Sequence, residues 1–386
     1  MIPSPFAHLP PAPVDPVFAI AAEAKSAGEG TIDATVGVIS DETGTPLMLP
    51  GVRRAIESFA RSFPQGNFAY PPLLGFPEFR SGVTRLIFGD QTDAIASIAT
   101  TGGTGAVTIN LKLLKLLGIR EVLLPVPSWP NHRRLLTSLG FIVHEVPHLE
   151  RGSTSLHGIM EALSAAKQPC GVLLQACGHN PTGLDFTDEQ WRELATFLRK
   201  KEHVVLLDLA YQGLVRGVEE DAASVRLLRE AGIPLLVAWS ASKNHSIYGL
   251  RTGLACAVAS DAAEREELER HFMILTREMH SAAPVTGQQI VALVQQEHAD
   301  QWRTDLEDLR AVITRKRRTL KDAVPPFADA LAGAGLYALL PCSSEQILLF
   351  KQRKIFLLPD GRVNIAGIPD ARMEEFTNAC KQIIGS

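Results

Sequence analysis

The sequence of 386 residues has few aromatic residues, few cysteines and no strong excess of charge of one sign. Its net charge of −4 argues against a globally basic nucleic-acid-binding protein. No apolar stretch approaches the length of a membrane span, and residues 1–30 lack the pattern of a signal peptide. The five cysteines form an odd, scattered set without a CxxC pair: Cys170, Cys177, Cys256, Cys342 and Cys380. We therefore expect a cytoplasmic protein with no disulfide framework, metal site, nucleic-acid partner or membrane association.

What the chain does contain is ordinary for a folded protein. Hydrophobic residues make up 46% and charged residues 21%, so disorder over most of the chain is excluded. The length predicts two or three domains with a substantial core.

Four short apolar runs end abruptly in polar or glycine-rich segments. The runs begin at Glu121, Gly171, His203 and Leu235. Unbroken apolar runs without alternation predict strands that are buried on both faces.

Helical patterns lie between these runs. Thr187-Asp-Glu-Gln190 has the spacing of a capping box. Val107, Leu111, Leu114 and Leu117 form an apolar stripe. Strands that alternate with helices predict an α/β domain with a mainly parallel sheet, which binds ligands beyond the carboxyl ends of its strands.

A second region begins near Gln301, where Trp302–Lys321 predicts a long charged helix. We expect residues 1–44 to form an N-terminal arm and part of a smaller α+β domain. Residues 45–300 would form the large ligand-binding domain, and residues 301–386 the rest of the small domain.

The segment Thr101-Gly-Gly-Thr-Gly105 precedes a predicted helix and could bind a phosphate group. Free backbone amides at a helix N-terminus bind anions, and glycines allow the anion to approach closely. Glycine-rich turns before helices are common, so the segment is a weak signal alone. It is neither a GxGxxG nor a Walker A sequence.

Two charged residues follow apolar runs at points where chemistry could take place. Lys243 is an ordinary solvent-facing lysine or, if desolvated, an amine that attacks a carbonyl. Asp208 is a turn or cap residue or, alternatively, a carboxylate held against a cationic ring nitrogen. Arg251 lies eight residues after the lysine and could hold a dianion, and Tyr211 would add a phenol to the same site.

A reactive lysine, an aspartate for a pyridinium nitrogen and a phosphate cradle are the protein groups that pyridoxal 5'-phosphate requires. With these groups in this order, the sequence resembles the fold-type I, class I aminotransferases, and within them the aspartate and aromatic amino-acid subgroup. The resemblance extends from about Gly37 to Gly367. Its motifs are Ser240-Ala-Ser-Lys243 with Arg251, Asp208-Leu-Ala-Tyr211, His179-Asn-Pro-Thr-Gly183, Ser128-Trp-Pro-Asn-His132, Tyr70 before Gly75, and Gly361-Arg-Val-Asn-Ile-Ala-Gly367.

The resemblance implies a role for each matching residue. Lys243 would bond to the cofactor and carry the substrate proton, and Asp208, supported by His132, would keep the ring nitrogen protonated. Tyr211 and Asn180 would bind the phenolic oxygen. The remaining cofactor-binding residues would be Trp129 on the ring and, at the phosphate, Gly103, Thr104, Ser240, Arg251 and Tyr70 of a second subunit. The substrate-binding residues would be Gly37, Trp129, Asn180, Arg362 and Arg277.

Arg277 lies in the segment Thr276–Pro284 and resembles the arginine that crosses the dimer to the distal carboxylate of a dicarboxylic substrate. The alternative is an exposed arginine at a helix end. Ala282 and Ala283 stand where aspartate-specific relatives have Asn-Pro, which puts strict aspartate specificity in doubt.

The resemblance implies ping-pong transfer of an amino group between aspartate or aromatic amino acids and 2-oxoglutarate in a homodimer. Another fold-type I reaction, catalysed by a C–S lyase or a decarboxylase, is the alternative. The basic cluster Arg315-Lys-Arg-Arg318 is interpreted as a solvated helix face.

Overall fold

The computed structural model describes residues 6, 9, 10, 12, 14–62, 70–199 and 201–384. Most of the predicted N-terminal arm before residue 14 lies outside the described residues.

Helices and strands alternate through most of the chain. The strands are β1 (Ile32–Asp33), β2 (Ile95–Thr101), β3 (Glu121–Val126), β4 (Ile142–Pro147), β5 (Leu149–Glu150), β6 (Ser153–Thr154), β7 (Gly171–Gln175), β8 (Val204–Leu209), β9 (Leu235–Ser240), β10 (Thr252–Val258), β11 (Tyr337–Leu339), β12 (Ile355–Phe356) and β13 (Arg362–Asn364). The α-helices are α1 (Pro16–Ser26), α2 (Pro50–Ser62), α3 (Pro77–Phe88), α4 (Gly102–Leu116), α5 (Pro130–Ser138), α6 (His157–Ala165), α7 (Asp188–Leu198), α8 (Ala223–Glu230), α9 (Ala262–Met279), α10 (Thr286–Glu297), α11 (Ala299–Ala323), α12 (Ser344–Gln352) and α13 (Met373–Ile384). Short 3₁₀ helices lie at Glu220–Ala222, Tyr248–Leu250, Pro325–Phe327, Ile365–Gly367 and Asp370–Arg372.

A seven-stranded sheet forms the centre, in the order β2-β10-β9-β8-β7-β3-β4. Only β10 runs antiparallel to its neighbours in this sheet. The four predicted apolar runs form β3, β7, β8 and β9, and their carboxyl ends lie along one edge. The prediction of an α/β fold with a mainly parallel sheet flanked by helices is confirmed.

Two apolar cores cover the faces of this sheet. The capping box at Thr187 is formed, and the backbone N–H of Gln190 donates to the threonine hydroxyl. In the predicted stripe of α4, Val107, Leu111 and Leu114 are buried, but Leu117 is 56% exposed. Leu117 follows the last residue of the helix, so the stripe ends one turn earlier than predicted.

A third apolar core joins the two ends of the chain. It combines Ile32 and Ala34 with side chains of α12, α13 and the end of α11, including Phe350 and Phe376. The first half of α11 packs elsewhere, because Trp302 and Leu306 belong to a core of the central sheet. The third core supports the expected small domain, and the boundaries at 44/45 and 300/301 stay predictions.

In the part of the chain that the structure describes, no helix is both long and apolar enough to cross a membrane. The same residues contain no cluster of three or more His, Cys, Asp or Glu side chains that could hold a metal ion.

Candidate active site

The polar segments that follow β3, β7, β8 and β9 meet at the carboxyl edge of the sheet. The register of β7 with β8 places Gln175 opposite Asp208, and the register of β8 with β9 places Leu209 opposite Trp239. Parallel pairing thus brings together residues from segments that are far apart in sequence.

Lys243 lies three residues beyond the end of β9 and is partly buried. Its Nζ donates a hydrogen bond to the backbone carbonyl of Gly37. Burial, together with the charges of Arg251 and Arg362, lowers the pKa of Lys243 to about 8. The amine is therefore closer to its nucleophilic, neutral form than an exposed lysine is.

Asp208 anchors a row of hydrogen bonds along the same edge. One of its carboxylate oxygens, Oδ2, lies 2.9 Å from Nε2 of His132. The other ring nitrogen of His132 lies 3.0 Å from the hydroxyl of Ser128. Trp129 packs edge-on against the imidazole, with ring centroids 5.1 Å apart. Within the described residues, no side-chain hydrogen bond is made by the second carboxylate oxygen of Asp208, so this oxygen is available to a cationic ligand group.

Asn180 links two other predicted residues. Its Oδ1 accepts a hydrogen bond of 2.9 Å from Nη1 of Arg362, and its Nδ2 lies 3.4 Å from the hydroxyl of Tyr211. Gln175 fixes the backbone of Asn180 on both sides, because its amide oxygen accepts from the Asn180 N–H and its Nε2 donates to the Asn180 carbonyl. Burial, Tyr337 and Asp208 raise the pKa of Tyr211, so its phenol stays protonated and can donate.

The segment around Gly103 forms a cradle with β9 and the turn before β10. Helix α4 begins at Gly102, where a side chain would collide with the guanidinium of Arg251. A Cβ at Gly103 would lie 3.0 Å from that of Ser240. Arg251 adopts a left-handed conformation, with φ of 48°, and its Nη1 lies 3.4 Å from the hydroxyl of Ser242. A helix N-terminus, hydroxyls and a guanidinium are donors that suit a phosphate dianion.

Comparison with known proteins decides which class of protein this is. The profile of the family described as aminotransferase class I and II matches residues 30–380. The aromatic-amino-acid aminotransferase of Paracoccus denitrificans is 34% identical over 378 residues, which cover 94% of this chain and 95% of the relative. The chain belongs to the class I aminotransferases.

Further relatives agree with this assignment. The aspartate aminotransferase of Escherichia coli K12 is 31% identical over 98% of this chain and 100% of its own length. The crystal structure of an aromatic-amino-acid aminotransferase from Burkholderia pseudomallei, covalently bound to pyridoxal phosphate, matches with a TM-score of 0.93 at 29% identity. That match covers 98% of this chain and 99% of the other. The predicted subgroup and fold type are confirmed, and the lyase or decarboxylase alternative is not favoured.

Pyridoxal phosphate is the cofactor of this aminotransferase. The residues of the site fit this cofactor. The cradle that a side chain at Gly102 or Gly103 would fill suits the phosphate. The lysine with the lowered pKa suits the aldehyde, and the carboxylate of Asp208 suits the pyridinium nitrogen.

Several residues of the aminotransferase site are not among those that the sequence analysis assigned a role. Gly102 lies in the segment Thr101–Gly105 and Ser242 in the segment Ser240–Lys243, so the spacing of these motifs could have indicated them. Gln175 ends a predicted strand, and its polar side chain in an apolar run is a weak signal. Tyr337, which faces Tyr211 with ring centroids 6.0 Å apart, stands in the apolar run Gly335–Leu340 and has no local signal.

Two predicted residues of the aminotransferase stand apart from this cluster. Tyr70 is 92% exposed, and Arg277 is exposed near the end of α9. Within the described residues, neither has a side-chain hydrogen bond or an ion pair with the groups around Lys243. Their predicted roles across a dimer interface stay predictions.

The basic cluster on α11 is only partly the solvated face that we predicted. Lys316 and Arg317 are buried, whereas Arg315 and Arg318 are exposed. Lys316 and Arg315 form ion pairs with Asp370. Nη1 of Arg317 donates to the backbone carbonyl of Tyr337 at 2.6 Å. The side chains of this cluster therefore bind α11 to the segments around the third apolar core.

His179, which precedes Asn180, is buried in a satisfied position. Its ring stacks on that of His148 with centroids 3.8 Å apart, and its Nδ1 lies 2.8 Å from the hydroxyl of Thr182. Burial, together with His148 and His132, lowers its pKa well below the usual value, so the ring is neutral. This contact explains the residue without a catalytic role.

Proposed function

We propose that this aminotransferase moves an amino group between aspartate or an aromatic amino acid and 2-oxoglutarate by a ping-pong mechanism. The names of the relatives support both donor classes. The observation that carries the residue assignment is the hydrogen-bonded row Arg362–Asn180–Tyr211, in which the charge of Arg362 also lowers the pKa of Lys243. This row joins Arg362, the proposed donor to the substrate carboxylate, to Asn180 and Tyr211, the proposed donors to the cofactor.

The proposed reaction uses the buried groups in distinct ways. Pyridoxal phosphate supplies an electron sink for negative charge at the substrate α-carbon. Lys243 Nζ takes the α-proton and returns it during transfer, which its lowered pKa favours. Asp208, oriented by His132, holds the proton of the ring nitrogen. Tyr211 and Asn180 would hold the phenolic oxygen of the cofactor, and Trp129 would hold its ring.

Binding of phosphate and substrate is assigned to donors around this cluster. We assign the phosphate to Gly103, Thr104, Ser240, Arg251 and Tyr70 of the partner subunit. The α-carboxylate is bound by Arg362 as a bidentate fork, with Asn180 and the backbone of Gly37 beside it. A dicarboxylic substrate would place its distal carboxylate on Arg277 of the partner subunit.

The assembly in this proposal is a cytoplasmic homodimer. Val14 and Phe18 are 78% and 74% exposed and Tyr70 is 92% exposed, so the single chain presents apolar and aromatic side chains that a second subunit would cover. The five cysteines are free, and free thiols are typical of proteins in a reducing compartment. Sedimentation equilibrium tests the dimer, and an active monomer would contradict it.

An absorption titration tests the proposed function directly. The cofactor band of the purified enzyme should fall on adding aspartate or tyrosine and return on adding 2-oxoglutarate. A band that neither donor changes would refute the substrate class but leave the cofactor in place. Release of carbon dioxide or of an eliminated thiol would instead indicate a different fold-type I reaction.

A further inference from the structure

Tyr337 places a phenol hydroxyl where several groups of the site meet. It is the first residue of β11, pairs with Asn364 of β13, and is 4% exposed. A Cβ at Gly37 would collide with the Tyr337 hydroxyl and would lie 3.0 Å from Nζ of Lys243. The hydroxyl therefore lies against the backbone of Gly37, on the side that the lysine approaches.

Arg362 lies on the ring of the same tyrosine. Its guanidinium carbon is 5.5 Å from the centroid of the Tyr337 ring. Burial raises the pKa of Tyr337, and the charge of Arg362 and a hydrogen bond with the side chain of Tyr211 partly oppose this. The phenol therefore stays protonated at neutral pH. It is a neutral donor within the field of the arginine, where an anion bound by that arginine would also lie.

The backbone holds this hydroxyl in a fixed position. The carbonyl of Tyr337 accepts the 2.6 Å hydrogen bond from Arg317, and β11 pairs with the strand that carries Arg362. A donor whose supporting backbone is already ordered loses little entropy when a ligand binds.

We propose that the Tyr337 hydroxyl donates a hydrogen bond to the α-carboxylate that Arg362 binds, and so is a further substrate-binding residue. The inference rests on the proposed function, which assigns that carboxylate to Arg362. It also explains the glycine at position 37, because any side chain there would take the space of the hydroxyl. Since aspartate and aromatic substrates both carry an α-carboxylate, the hydroxyl serves both classes.

Calorimetric binding of two unreactive acids to the cofactor-loaded enzyme tests the proposal. Maleate has two carboxylates and 3-indolepropionate has one, and neither has an amino group to react. Tyr337→Phe removes only the hydroxyl and should weaken both ligands by about tenfold, as expected for loss of one hydrogen bond to a charged group. In steady-state assays the same variant should raise KM for both donor classes more than it lowers kcat.

Tyr248→Phe is the matched control. Tyr248 is another mostly buried phenol close to this region. Its oxygen accepts a hydrogen bond of 3.0 Å from the amide of Ile39, and its ring lies under Nζ of Lys243, whereas the Tyr337 ring lies under Arg362. We expect a smaller loss of affinity from this variant than from Tyr337→Phe. Equal losses in the two variants would mean that any missing phenol oxygen has this effect, and the proposal would fall.

Two further outcomes would also overturn the proposal. Unchanged affinity in Tyr337→Phe removes the hydrogen bond, and loss of maleate binding alone places the tyrosine at the distal carboxylate. Gly37→Ala places a methyl group against the Tyr337 hydroxyl. It should weaken binding of both acids even if the Tyr337→Phe variant folds poorly. If the wild-type enzyme itself fails to transaminate, the proposed function fails, whereas an active wild type with an unaffected Tyr337→Phe variant removes only this inference.

Discussion

The surroundings of Lys243 and those of Arg277 differ in how much one chain provides. Around Lys243, donors and acceptors from distant segments already form hydrogen bonds, such as Asp208 with His132 and Asn180 with Arg362. Arg277 lies exposed near the end of α9, and the described residues offer it no ion pair. The part of the site that all substrates would share is thus preorganised, and the part that would select among them is not.

This difference has a physical basis. Groups at the carboxyl edge of the sheet are held by strand pairing and buried hydrogen bonds, which cost little reorganisation when a ligand binds. An exposed arginine remains solvated until a second surface covers it, so its contribution depends on assembly and on the ligand. Variants in the two regions should therefore differ in kind as well as in size.

The largest effect should come from Lys243→Ala. It removes the amine with the lowered pKa, so turnover should fall by roughly a thousandfold or more for every donor. Steady-state assays with aspartate and with tyrosine check this, and Lys381→Ala on the exposed face of α13 is the control. Normal turnover without Lys243 would refute the mechanism.

Arg277→Ala should separate the substrates. Loss of a charged pair with the distal carboxylate should lower kcat/KM for aspartate by about a hundredfold, whereas aromatic donors should change little. The measurement is kcat/KM for both donors in one preparation. Equal losses would show that the exposed arginine takes no part in selection.

Gly37→Ala tests how tightly the preorganised region is packed. The added methyl group would collide with the Tyr337 hydroxyl, so kcat/KM should fall by about tenfold for both donor classes. Adding Tyr337→Phe relieves the collision, and the alanine should then cost less than it does alone. If the effects of the two substitutions on kcat/KM simply add, the side chains at positions 37 and 337 do not contact each other.

The lowered pKa of Lys243 predicts how cofactor capture depends on pH. Only the neutral amine attacks an aldehyde, so capture of pyridoxal by the cofactor-stripped enzyme should rise with pH and level off above about 8. Below that value the rate should fall by about tenfold per pH unit. Stopped-flow absorbance measures it, and a midpoint near 10 would show that burial does not shift this lysine.

The smallest expected effect is on the free energy of unfolding, and it comes from His245, two residues after Lys243. His245 stacks on Trp302 with centroids 4.8 Å apart, and burial lowers its pKa to about 3. The unfolded chain binds this proton more readily, so stability is lost as pH falls below about 6.5, by about 1.4 kcal/mol per unit. His245→Phe should reduce the difference in unfolding free energy between pH 7.5 and 5.5 by about that amount.

Chemical denaturation at both pH values measures this effect. His157→Phe, at an exposed histidine, should keep the wild-type difference. An unchanged pH dependence in His245→Phe would mean that the buried ring is not the group that resists protonation.

Much of the fold follows from local pattern. Strands β3, β7, β8 and β9 are covered on both faces, so their unbroken apolar runs predict them. Strands β2 and β10 contain Ser97, Thr100 and Thr252, and the same rule does not pick them out. Their antiparallel pairing depends on where the chain returns to the sheet.

The sequence by itself determined the chemical groups and their order, because each motif keeps its spacing within one turn or strand end. It therefore predicted Lys243 and Asp208, and the family resemblance added Asn180. The tertiary structure alone decided which distant groups meet, such as Asn180 with Arg362 and Tyr337 with Gly37. Spacing and periodicity report only local geometry, whereas contacts between remote segments depend on how the sheet and the small apolar core pack together.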